Sequence, residues 1–112
     1  MMNRDPQQLV AEISARLVRA VRPRKIVLFG SYAAGRATAD SDVDLLIVED
    51  RPFDRQHNRR DELQRIRHVL ADVRVPKDII LCSADEYARW RSAANHVIAR
   101  AVREGMVLYE QP

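Results

Sequence analysis

Two acidic residues, Asp42 and Asp44, stand one residue apart at the head of an apolar run. Successive side chains on a strand point to opposite faces, so carboxylates at this spacing lie on the same side. Two close carboxylates repel each other, and a divalent cation is the simplest group that keeps both of them ionised. The pair therefore predicts a metal site built from oxygen ligands, the kind that magnesium prefers.

A glycine-serine turn, Gly30-Ser31, precedes this pair and follows a short apolar run over residues 26–29. Glycine permits a sharp turn and lets the backbone approach a ligand closely. Free N–H groups at a helix start favour anions, so the phosphates of a nucleotide are expected to rest beside the metal. Gly30 and Ser31 would position these phosphates, with Arg36 as an additional clamp. The stretch predicts a site for a metal-bound nucleoside triphosphate.

Other interpretations of the same residues are open. Gly30 and Gly35 match the two glycines of a P-loop, but Arg36 and Ala37 replace the lysine and the hydroxyl residue of that motif. Most glycine-serine turns merely connect elements, and an isolated Asp-x-Asp pair is commonly a surface feature. The order of strand, turn, and acidic pair opening a second strand favours the nucleotide site.

Helices and strands that would position this stretch are marked along the chain by caps, breakers and apolar periodicity. The first half of the chain predicts a helix opened by Asp5-Pro6 and stopped by Pro23, a strand over 26–29, a short helix from Ser31 and a strand after Asp44. The second half predicts a helix with apolar residues 63–73, a strand over 75–82, a helix after the capping box 83–86, a helix ended by Gly105, and an edge strand over 106–109. The pattern predicts an α/β fold.

Composition narrows the class of protein. A chain of 112 residues, 46% hydrophobic and 31% charged, predicts a single domain over residues 1–112. No apolar run approaches the roughly eighteen residues of a membrane span, and no signal peptide appears, so we expect a cytoplasmic protein without membrane association. A net charge of +3 and scattered aromatic residues give little reason to expect a nucleic-acid partner.

The cysteine and histidine content argues against a disulfide framework or a zinc finger. The single cysteine, Cys82, falls in an apolar strand and is interpreted as a core residue in a reducing compartment. His57 and His68 flank the second long helix without zinc-like pairing, and we interpret both as surface residues.

Gly30-Ser31, Gly35 and the segment 41–45, which reads SDVDL, together resemble the signature of the polymerase-β-type nucleotidyltransferase superfamily. The likeness is strongest to the minimal nucleotidyltransferases, called MNT, which are single small domains of about this length. The resemblance implies an α/β (α+β) palm with a mixed sheet and helices packed mainly on one face. It is much less specific about the substrate.

In that superfamily a third carboxylate on the neighbouring strand completes the acidic pair. The resemblance gives this role to Asp78, with Asp72 as the weaker substitute. The competing interpretation places Asp78 merely at the exposed entrance of its strand, beside Lys77. Asp42, Asp44 and Asp78 would be the catalytic and metal-binding residues and hold two Mg²⁺ ions, one shared with the phosphates of ATP or another NTP and one beside the attacking hydroxyl.

The resemblance further implies transfer of AMP or another NMP from an NTP to a hydroxyl group. Its commonest context is a toxin-antitoxin pair, in which the MNT antitoxin adenylylates a tyrosine of a HEPN-domain ribonuclease. We therefore expect a HEPN-domain toxin as the partner, in a homo- or hetero-oligomer. Two alternatives remain: transfer to a small molecule, as aminoglycoside-modifying relatives with an added helical domain perform it, and a non-catalytic module that masks its partner.

Overall fold

Five helices and four strands follow one another along residues 5–112, the part of the chain that the computed structural model describes. They are α1 (Pro6–Val21), β1 (Lys25–Phe29), α2 (Gly30–Ala33), β2 (Val43–Glu49), α3 (Arg59–Val69), β3 (Lys77–Ser83), α4 (Ala84–Trp90), α5 (Val97–Glu104) and β4 (Met106–Glu110). All nine predicted elements are present. The largest difference is that α3 ends at Val69, because the chain then turns and the N–H of Val73 donates to the carbonyl of Leu70.

The four strands form one mixed sheet in the order β3-β2-β1-β4. β1 pairs antiparallel with β2 and with β4, whereas β2 and β3 run parallel. The segment expected to be an edge strand is β4, at one end of this order. The mixed α/β fold that the sequence predicts is therefore confirmed.

Helices cover both faces of the sheet. The larger hydrophobic cluster lies between one face and the long helices α1 and α3, and it includes Ile13, Leu17, Leu45, Ile47 and Ile66. The smaller cluster lies on the other face and joins Leu46, Val48 and Cys82 to Tyr87 of α4 and Ile98 of α5. Successive residues of β2 point to opposite faces, so covering both faces explains why its apolar run has no polar alternation. The long helices share one face, as the resemblance implies, and the two short ones add a cover on the other.

The N-terminal helix begins and ends where the sequence predicts. The Asp5 side chain accepts a hydrogen bond from the N–H of Gln7, and Pro6 occupies the first turn, where its missing N–H costs nothing. At the other end Arg22 adopts a left-handed conformation with φ of 47°, and its N–H donates to the carbonyl of Val18. These caps fix the length of the helix that packs across the sheet. No helix among residues 5–112 is long and apolar enough to cross a bilayer.

Cys82 provides a direct probe of the second face of the sheet. Its side chain is 1% exposed, and burial raises the pKa of the thiol to about 12. Because the thiolate is the reactive form, we expect no alkylation of the folded chain at neutral pH and complete alkylation in denaturant. Intact mass after iodoacetamide treatment measures both. Rapid labelling of the folded chain would show that α4 and α5 do not keep this face closed.

Candidate active site

The turn after β1 is built around the carboxylate of Asp44. Gly30 has φ of +72°, a left-handed conformation that glycine adopts at little cost. A Cβ placed on Gly30 would lie 2.1 Å from Oδ2 of Asp44, so the carboxylate lies directly against the glycine. Phe29 pairs with Asp44 across the β1–β2 ladder, which brings this carboxylate to the start of α2. No side chain forms a capping hydrogen bond with the first turn of α2, in which Ser31 is the second residue.

The three predicted acids lie together at one end of the sheet. In the parallel β2–β3 ladder Asp44 is the register partner of Asp78, and Asp42 immediately precedes β2. The pKa of Asp44 is raised, first by burial and then by the negative charges of Asp78 and Asp42. Asp44 is half-buried, whereas Asp42 and Asp78 are exposed. Asp78 is thus exposed at the entrance of β3, and it also lies beside Asp44.

Asp72, the weaker candidate for the third acid, has another role. Its carboxylate accepts two hydrogen bonds from the guanidinium of Arg16 on α1, one of 3.1 Å and one shorter. Arg16 Nη1 also donates to the carbonyl of Val69 at the end of α3. Asp72 therefore joins α1 to the end of α3, and Asp78 remains the candidate beside Asp44.

Positive charge reaches the acids from a helix that the sequence did not connect with them. Arg100 of α5 lowers the pKa of Asp44, opposing the effect of the neighbouring acids. Its Nε donates to Oε1 of Glu104, 3.3 Å away on the exposed side of α5. Arg36, the predicted clamp, is exposed just beyond α2, and its backbone N–H donates to the carbonyl of Ser31 at 2.9 Å. The one sequence signal for Arg100 is a basic residue opposite the buried residues of an amphipathic helix.

The donor set fits a magnesium ion. Burial raises the pKa of Asp44 most, and the negative charges of Asp78 and Asp42 raise it further; a divalent cation between the carboxylates would offset both effects. Magnesium takes oxygen ligands and keeps several waters, and the exposure of Asp42 and Asp78 leaves access for those waters and for phosphate oxygens. Carboxylates from two adjacent strands and a backbone turn beside them can thus hold a metal-bound phosphate.

A groove of about 980 Å³ lies next to α2, and the three acids stand outside its lining. Its walls are formed by the N-terminal half of α1, by α2 and by strands β1 and β4, and they include Val10, Ser14, Leu28, Tyr32, Met106 and Leu108. Since Tyr32 belongs to the same short helix as Gly30, the groove opens beside the candidate site. The acids themselves face an open surface.

Comparison with known proteins extends these observations. The model of the nucleotidyltransferase domain family matches residues 10–104, which include the Gly30 turn and all three acids. A protein of Methanocaldococcus jannaschii named "Putative protein adenylyltransferase MJ0604" is 61% identical over 33 residues. This alignment covers 30% of the present chain and 33% of that relative. The likeness thus spans about a third of the relative's length.

Two solved structures share the fold over most of the chain. A "putative minimal nucleotidyltransferase" superposes with a TM-score of 0.61 at 25% identity, over 95% of this chain and 98% of that one. A chain of a toxin-antitoxin crystal structure with AMP-PNP superposes with a TM-score of 0.55 at 22% identity, over 90% of this chain and 73% of that one. At 22% identity the second comparison shows a common fold.

Proposed function

The chain belongs to the nucleotidyltransferase domain family, as its resemblance to minimal nucleotidyltransferases predicts, and from this premise we propose that it transfers AMP from ATP to a hydroxyl group of another protein. The observation that carries the proposal is the convergence of Asp42, Asp44 and Asp78 beside the Gly30 turn. The name of the Methanocaldococcus jannaschii relative supports AMP as the transferred group and a protein as the acceptor.

In this reaction the acceptor oxygen forms a bond to the α-phosphorus of ATP, and the bond to the bridging oxygen breaks as pyrophosphate leaves. Asp42, Asp44 and Asp78 would hold two Mg²⁺ ions, which neutralise phosphate charge and make the hydroxyl a better nucleophile. Asp78, at the exposed side of the group, would help to remove the hydroxyl proton. Gly30 and Ser31 would orient the β and γ phosphates through backbone N–H groups.

Basic side chains on two sides of the acids would hold the triphosphate. Arg36 lies just beyond α2, and Arg100 lies on α5 close enough to lower the pKa of Asp44. A guanidinium forms charge-assisted hydrogen bonds with phosphate oxygens, so both would favour bound ATP over free ATP. Arg100 joins the predicted set as a nucleotide-binding residue.

We expect Arg100→Gln to raise KM for ATP by about tenfold and to change kcat by less than threefold. A hydrogen bond to a charged group contributes roughly 1.5 kcal/mol, which corresponds to about a factor of ten. Arg67→Gln is the matched control, because Arg67 is an exposed arginine of α3 on the other face of the sheet. Initial rates over a range of ATP concentrations give both constants. An unchanged KM would assign Arg100 no role in holding the nucleotide.

The acceptor that we propose is a HEPN-domain ribonuclease, which would make the chain the antitoxin of a toxin-antitoxin pair in the cytoplasm. Its fold likeness to a chain of a toxin-antitoxin structure with AMP-PNP supports this partner. The open surface around Asp42 and Asp78 supports it as well, since an acceptor residue on a large protein needs an unobstructed approach. A single domain over residues 1–112 would suffice if the partner completes the site as a hetero-oligomer.

The test is incubation of the chain with magnesium and each NTP, with and without a co-expressed HEPN-domain ribonuclease that the same genome encodes. Intact mass spectrometry should show the gain of one AMP on the ribonuclease, dependent on magnesium. Loss of ribonuclease activity without any mass gain would replace the transferase by a masking module. A nucleotide gain confined to small-molecule acceptors would replace the protein substrate.

A further inference from the structure

A second cluster of ionisable side chains lies at the opposite end of β2 from Asp44. Glu49 is the last residue of β2, His57 lies in the connection to α3, and Glu62 is in the first turn of α3. Each offers one ligand atom, and these atoms all lie within 4.8 Å of one another. Glu49 lies five positions along β2 from Asp44, which corresponds to about 16 Å. The cluster is therefore distinct from the candidate active site.

Glu49 is buried with half of its carboxylate unsatisfied. The residue is 5% exposed, and its Oε1 lies 3.0 Å from Nε2 of His57. Its Oε2 is buried and receives no hydrogen bond from any described residue. Burial and then the neighbouring Glu62 raise the pKa of Glu49 to about 8. Glu62 is 8% exposed, and a hydrogen bond between the two carboxyl groups would require a proton on one of them, which would then be the donor.

Arg65, the arginine that pairs with Glu62, compensates little of the negative charge of the two carboxyl groups. Arg65 Nη1 lies 3.5 Å from Oε1 of Glu62, but its side chain is 59% exposed and its charge is largely solvated. Its effect on the pKa of Glu49 is the smallest of the four causes. A buried carboxylate oxygen that no described residue satisfies therefore lies beside a second buried carboxyl group and an imidazole nitrogen, and this arrangement favours a cation.

His57 is held in place to present its ring nitrogen. Its ring stacks on Phe53 with centroids 5.0 Å apart, and the guanidinium of Arg59 lies 4.5 Å over the same Phe53 ring. The backbone N–H of His57 donates to Oδ1 of Asp54 at 2.7 Å, and this hydrogen bond fixes the loop between them. The His57 side chain is 16% exposed, so its interpretation as a surface residue was wrong. Stacking and the loop hydrogen bond together direct Nε2 toward Glu49.

We propose that Glu49, His57 and Glu62 bind a zinc ion, which fastens the loop after β2 and the start of α3 to the end of the sheet. One imidazole nitrogen with two carboxylate oxygens is a donor set that zinc accepts in sites with three protein ligands. Magnesium prefers oxygen ligands and retains several waters, and both carboxylates here are buried. The site takes a zinc-type ion and leaves magnesium to the three acids at the other end of β2.

The test uses the full chain with Asp42→Asn and Asp44→Asn, without any histidine tag, so that these two acids contribute no metal site. After removal of metal with a chelator, titration with zinc against a chromophoric chelator should give one bound ion per chain. Glu49→Gln and His57→Gln should each weaken zinc binding at least 100-fold. His68→Gln should bind as the parent does, because His68 is an exposed histidine of α3 outside the cluster.

Thermal unfolding gives an independent readout. Zinc should raise Tm by several degrees in the parent and in His68→Gln, and should leave Tm unchanged in Glu49→Gln and His57→Gln. Circular dichroism shows whether each variant is folded. If Glu49→Gln does not fold, the zinc binding of His57→Gln decides the proposal. Absence of zinc binding to the parent would overturn the proposal, and so would parent-like binding by both folded variants.

Discussion

Replacing Asp44 with asparagine is expected to reduce nucleotidyl transfer by about 10³-fold while the fold persists. Asp44 lies close to Asp42 and to its register partner Asp78, and asparagine keeps its shape but removes the charge that would bind the proposed cation. Metal stabilisation of the transition state is worth several kcal/mol, and each 1.36 kcal/mol is a factor of ten. Transfer rates measured by mass spectrometry at saturating ATP and magnesium test this expectation.

The same Asp44→Asn substitution should increase the stability of the folded chain while it lowers activity. Because burial and neighbouring acids raise the pKa of Asp44 above its ordinary value, its ionised form is disfavoured in the folded chain without metal. The destabilisation is absent below the ordinary pKa and develops as the pH rises through the folded pKa. At neutral pH with a chelator, Asp44→Asn should raise the free energy of unfolding by about 0.5 kcal/mol, as expected for screened repulsion near a surface. Urea unfolding measures it.

Asp40→Asn is the matched control, because Asp40 is an exposed carboxylate of the loop that leads to Asp42. Its transfer rate should stay within twofold of the native value. An Asp44→Asn chain that keeps more than a tenth of the activity would remove Asp44 from the metal site. An equal loss in both variants would assign the effect to the loop.

The second large effect is expected at Gly30. Gly30 and Gly35 have nearly the same left-handed φ, +72° and +71°, so an alanine at either position costs about 1–2 kcal/mol of backbone strain. At Gly30 the new Cβ would also lie 2.1 Å from Oδ2 of Asp44, whereas at Gly35 nothing lies within 4 Å. The difference between the two variants therefore isolates the displacement of one carboxylate.

Gly30→Ala should lower transfer by about 10²-fold if Asp44 has the proposed role, because a displacement of about 1 Å at a reacting centre costs that much. It should also destabilise the chain by about 1–3 kcal/mol more than Gly35→Ala does. Gly35→Ala should keep its activity within a few-fold. Urea unfolding and transfer rates of both chains provide the comparison.

A double-mutant cycle confirms or rejects the cause. If the carboxylate is the obstacle, Asp44→Ala should restore most of the extra stability lost in Gly30→Ala. If the two glycines give equal losses, or Asp44→Ala restores nothing, the contact between Gly30 and Asp44 does not control the site.

The local features of the site could be predicted from the sequence because they lie within one short segment. The Gly30 turn and the alternation that puts Asp42 and Asp44 on one side of a strand follow from backbone geometry. The partner of Asp44 could not be found by this route, since register between parallel strands depends on the intervening helix. Pattern alone left Asp78 at an exposed strand entrance, and only the resemblance placed it beside Asp44.

Contacts between distant segments escaped the sequence for the same reason. Arg100 approaches Asp44 only because α5 packs on the second face of the sheet, and no local pattern told on which face that helix lies. Glu49 is the polar residue that ends an apolar strand, and its burial results from the loop after β2 and α3 packing over it, which no local pattern indicates. His57 was misjudged because stacking on Phe53 has no periodic signature.

The pairing of β1 with β4 has a consequence for how the protein is made. Lys25 pairs with Glu110, so one of the two neighbours of β1 is β4, which leaves the ribosome after the other three strands of the sheet. Such non-local pairing closes a long loop and slows folding. Until residues 106–110 emerge, a nascent chain exposes one edge of β1 to other unfolded strands. We therefore expect the Gly30 turn, which extends β1 directly, to reach its folded form only after residues 106–110 have been synthesised.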